Sequence, residues 1–64
     1  MNIPAFDILK KADNDTLVWV QASPDLNSAT ARAHELADNS GDEYVVYDQG
    51  AQRIVTKAAK RNPV

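Results

Sequence analysis

The most constraining feature of this chain is a lone helical stripe of small residues set between two pairs of β-type segments. From Leu26 the apolar positions are Leu26, Ala29, Ala33, Leu36 and Ala37. This spacing traces one face of an α-helix. Alanine dominates the stripe, so the helix can lie close against whatever it covers. Asp25 is the expected N-cap, with Ser23 as a competitor. Gly41, after Asn39 and Ser40, supplies a left-handed stop. The helix is expected over about residues 26–39.

On either side the pattern changes to β-branched and aromatic residues. Residues 5–10 form an alternating segment with Phe6 and Ile8 on one face and Ala5, Asp7 and Leu9 on the other. Residues 16–22 include the strongest strand signal, Leu17-Val18-Trp19-Val20. Ala12 to Asp15 between them reads as a hairpin turn, because Asn and Asp tolerate left-handed backbone. Residues 43–47 and 52–56 make a second pair around a turn at Asp48-Gln49-Gly50-Ala51. The tail, 57–64, is expected to be a frayed helical turn or partly disordered.

The order ββαββ implies an α+β fold in two layers. It has a four-stranded, mostly antiparallel sheet with one helix packed on one face. If strands two and three run parallel, their connection is a right-handed crossover, and the order 2-1-3-4 satisfies it. A chain of 64 residues is one domain. At that size only about 60% of the unfolded surface is buried. Ten apolar residues are alanine, so the core is thin and no cavity enclosing a large cofactor is expected.

The bulk properties remove several function classes. There is no cysteine, which excludes disulfides, thiolate metal sites and catalytic thiols. A small domain without disulfides suits a reducing compartment, so the cytoplasm is expected. No charged start followed by an apolar run is present, so no signal peptide is expected. Leu17 to Val20, the longest apolar run, is too short to cross a bilayer. Seven basic against nine acidic residues give a net charge of −2, without the basic excess usual in a nucleic-acid binder.

No catalytic constellation emerges, and neither a metal nor a cofactor is expected. His34-Glu35-Leu36-Ala37-Asp38 is close to a zinc-protease helix with Asp38 in place of the second histidine, but no third ligand follows. Asp13-Asn14-Asp15 opens like a calcium loop. That loop fails at its sixth and twelfth positions, Val18 and Pro24. The two glycines, Gly41 and Gly50, form no phosphate-binding loop. The chain is therefore expected not to be an enzyme.

The sheet itself is more informative. One helix covers one face, and strands two and three carry apolar groups on both. A large apolar patch on a small domain marks a contact surface. Leu17, Trp19, Tyr44 and Tyr47 are the expected interaction residues, since aromatics dominate interface energetics. The partner is another protein or a second copy of the chain, joined through the open face or an edge. The alternative is a nucleic-acid accessory role. Lys10, Lys11, Lys57, Lys60 and Arg61 would contact phosphates, and the aromatic rings would stack on bases.

Residues 16–56 resemble small stand-alone bacterial ββαββ domains of unknown function. The matching residues are Trp19-Val20, the alanine-rich run Ala29 to Ala37, Glu43 to Asp48, and Arg53-Ile54-Val55. Gly41-Asp42-Glu43 departs from the pattern by placing an acid between Gly and Glu. The resemblance implies the ββαββ fold and a bacterial source, and no activity.

Overall fold

The helix and strands form where the side-chain periodicity changes. A computed structural model describes residues 5–60. Strands β1 (Phe6–Lys11) and β2 (Leu17–Ser23) are followed by helix α1 (Leu26–Ser40). Strands β3 (Glu43–Asp48) and β4 (Arg53–Ala58) complete the fold. All three pairings are antiparallel, and the sheet order is β2-β1-β3-β4. Strands β2 and β3 both oppose β1, so they run parallel to each other. Helix α1 joins them across β1 and touches all four strands.

Local chemistry sets the ends of the helix. The Asp25 side chain accepts a hydrogen bond from the Ser28 backbone N–H at 2.7 Å. This satisfies a donor that the first turn leaves free. The Ser28 hydroxyl also lies 3.0 Å from Asp25. These bonds, the backbone one first, hold the Asp25 carboxyl below its ordinary range. At the other end Gly41 has φ +80° and its N–H donates to the Ala37 carbonyl at 2.8 Å. That left-handed turn is where glycine is needed.

Ala29, Ala33 and Ala37 are fully buried and meet Ile8, Tyr44, Val46 and Ala58 from the sheet. Phe6, Val20, Leu36 and Val55 close the margins of this core. Leu26, placed by periodicity on the buried stripe, instead remains 40% exposed. It occupies the first helical position, at the end of the covered surface.

The edge strands each contain a β-bulge. Ile8 opposes Gln21 and Leu9 opposes Trp19, which leaves Val20 unmatched. Val46 opposes Thr56 and Tyr47 opposes Ile54, which leaves Val55 unmatched. Both extra valines pack against the core. Each bulge thereby adds an apolar contact on the helix side and interrupts a free edge.

The fourth strand runs further than its sequence suggests. Lys57 and Ala58, expected in the tail, are its last two residues, and Ala58 is buried against Ala33 and its neighbours. The rest of the expected tail from residue 61 lies outside the described residues.

Candidate functional site

Pairing across the sheet fixes the face opposite α1 in three rows. Ala22, Asp7, Tyr47 and Ile54 form the first. Trp19, Leu9, Val45 and Lys57 form the second. Leu17, Lys11 and Glu43 form the third. Alternation along each strand keeps these side chains on the side away from the helix. The bulges preserve this placement for Trp19 and Ile54 by turning Val20 and Val55 inward.

Three of the four expected interaction residues lie on this face. Trp19 is 60% exposed and Leu17 42%, while Tyr47 is half-buried. Ile54, which the sequence reading did not select, is exposed to a similar degree. Leu9 is half-buried beside Trp19, and Val45 is buried between Leu9 and Lys57.

Tyr44 requires correction. It alternates with Tyr47 onto the helix side, is 6% exposed and belongs to the core. Its hydroxyl lies 3.4 Å from the Ser40 hydroxyl in the last turn of α1. Its neighbour two residues away, the fully buried Val46, shares that side.

Asp7 is the polar centre of the open face. Its carboxylate accepts from the Trp19 indole N–H at 3.2 Å. It also accepts from the Gln49 side-chain amide at 3.1 Å on both oxygens. Gln49 is itself fixed by its backbone N–H, which donates to the Ala5 carbonyl at 3.0 Å. The indole thus has its polar edge satisfied while most of the ring remains in water. Asp7, Leu9, Leu17, Tyr47, Arg53 and Ile54 line a groove of about 540 Å³ that is open to solvent. An acid inside an otherwise apolar strand row is the sequence signal that could have located it.

The basic residues do not converge. Lys10 pairs with Asp42 at 3.2 Å. Lys11 pairs with Asp15 at 3.2 Å and Glu43 at 3.5 Å. The hydrogen bond to Asp15, then the charge of Glu43, raise the Lys11 ammonium above its ordinary pKa. Lys57 projects from the open face beside Val45. Lys60 lies past the end of β4, close to Gly41, and Arg61 lies outside the described residues.

His34 is half-buried on the flank of α1 and Asp38 is exposed. Among the described residues, no three His, Cys, Asp or Glu side chains group where a metal could sit. Every buried side-chain nitrogen or oxygen among them has a partner. No helix among them is long and apolar enough to cross a membrane.

No family of known proteins, no curated protein and no solved structure matches this chain. Its functional reading therefore rests on the surface itself.

Proposed function

We propose that this protein is a non-enzymatic protein-interaction module that docks through the apolar surface of β2 and the open sheet face. The observation that carries this reading is the exposure of Trp19 and Leu17 on the side the helix leaves uncovered. Clustered large apolar groups of this kind lose contact with water when a partner covers them. Trp19 suits the role of anchor, being large, fixed by Asp7 and surrounded by aliphatic side chains.

The charge pattern favours a protein over nucleic acid. Lys10 and Lys11 already face carboxylates, and the chain carries a net negative charge. Phosphate contacts would have to displace those partners.

Trp19→Ala is the test. The circular dichroism spectrum should be retained, because the ring is mostly outside the core, while association weakens. Collapse of the fold in this variant would place Trp19 among the core residues and overturn the reading.

A further inference from the structure

The exposed apolar residues of β2 do not all face one way. Leu17 and Trp19 lie on the open face, whereas Val18 lies on the helix side and is 48% exposed. A partner resting flat on the open face covers the first two and leaves Val18 in water. A strand added to the free edge of β2 gives all three a cross-strand neighbour.

The two edges of the sheet differ in charge. Thr16 to Ser23 contains no charged residue, whereas β4 carries Arg53 and Lys57. Strand β4 carries a cation on each face, Arg53 on the helix side and Lys57 on the open side, and charges on an edge strand disfavour the addition of another strand. The charges of β4 protect that edge, and β2 has no equivalent protection before its bulge at Val20.

Strand β2 is also complementary to itself. In an antiparallel pair centred on Val18, Leu17 faces Trp19 of the partner subunit on the open side. Val18 faces its own copy on the helix side, and Thr16 faces Val20 of the partner subunit. No charge meets a like charge within this stretch. The arrangement is a closed two-fold contact, and the charged β4 edges prevent its continuation into a filament.

We infer that the occupant of the β2 edge is a second copy of this chain, paired antiparallel through Leu17, Val18 and Trp19 into a continuous eight-stranded sheet. This rests on the reading of the chain as an interaction module and supplies its partner. An edge contact of this extent falls at the low end of specific interfaces, below about 1,200 Å² in total. Its dissociation constant is expected on the order of micromolar to hundreds of micromolar.

Sedimentation equilibrium on the full chain, up to about millimolar concentration, tests the inference. The expected mass rises from 7.0 kDa towards twice that value. Val18→Lys should raise the midpoint concentration about tenfold or more while the circular dichroism spectrum is unchanged. Mixing Val18→Lys with Val18→Glu should restore the dimer, because the opposed charges then attract. Ile54→Lys, on the open face but distant from the β2 edge, should leave dimerisation unaltered. A wild-type mass fixed at 7.0 kDa overturns the second copy as partner, while the module reading still stands or falls with Trp19→Ala. A dimer that survives Val18→Lys but is lost in Ile54→Lys overturns the edge geometry and assigns the contact to the open face. Failure of the Lys–Glu mixture to dimerise also overturns the edge pairing.

Discussion

Replacing Gln52 with glycine should stabilise this protein. Gln52 closes the β3–β4 turn with φ +57°, in the left-handed region, and its backbone N–H donates to the Asp48 carbonyl at 2.7 Å. A side chain in this conformation brings Cβ against the carbonyl oxygen, at a cost of roughly 1–2 kcal/mol. Gln52→Gly removes that cost and keeps the backbone bond. Glycine's greater freedom in the unfolded chain offsets about 0.5–1 kcal/mol of the benefit. The net gain is about 0.5–1 kcal/mol, a rise in Tm of roughly 2–8 °C for a domain of this size. Gly50 supplies the control. Its φ is not in the left-handed region, and an added Cβ would meet Asp48 Oδ1 at 3.4 Å, an ordinary contact. Gly50→Ala should therefore change stability by less than about 0.5 kcal/mol. Urea and thermal unfolding followed by circular dichroism measure both variants. A lower midpoint for Gln52→Gly, or a large loss in Gly50→Ala, would refute this assignment of strain within the turn.

Three further variants probe the core and the helix start. Ile8→Ala empties a fully buried position in β1 and should cost about 2–5 kcal/mol in urea unfolding. That is a large share of the roughly 3–10 kcal/mol available to a domain of this length, so a substantial unfolded fraction is expected in water. Ala33→Leu should lose about 1–3 kcal/mol by pushing α1 off the sheet, and an unchanged midpoint would show that the helix is not closely seated. Asp25→Ala should flatten the acid side of the stability profile. The folded-state pKa of Asp25 is lowered, so its contribution is complete above the unfolded value and disappears as pH falls through the folded value. Wild type should lose its advantage over Asp25→Ala across that acidic range, and a constant difference at every pH would contradict the cap.

Several features of the fold were legible because they depend on neighbouring residues. The alanine spacing located α1, Asp25 and Gly41 marked its ends, and alternation separated Leu17 and Trp19 from Val18 and Val20. The element order admits the sheet order β2-β1-β3-β4 without deciding it, because pairing between remote strands leaves no local mark. The bulges were not legible, because Val20 and Val55 look like ordinary strand residues until the register with β1 and β3 is known. From sequence Ala58 reads as tail, because alanine and the nearby Lys57 and Lys60 carry little strand preference. Its burial arises from contact with α1 and β3, remote in sequence. Tyr44 and Tyr47 share a chemistry, but their odd spacing places them on opposite faces of the sheet. Once Val46 is known to face the helix, Tyr44 must do so as well. Gly50 marks the second turn, but the left-handed residue within it is Gln52, which nothing in its side chain announces.

The surface of β2 is the centre of the functional reading, and the chain's single tryptophan reports on it directly. The decisive measurement is the Trp19 fluorescence emission maximum over a dilution series of the wild-type protein. The expected result is a red-shifted, water-exposed spectrum at low concentration that moves to the blue as the β2 surfaces meet. A blue-shifted spectrum that persists at every dilution would contradict it, because Trp19 would then be enclosed within the monomer and unable to serve as a contact.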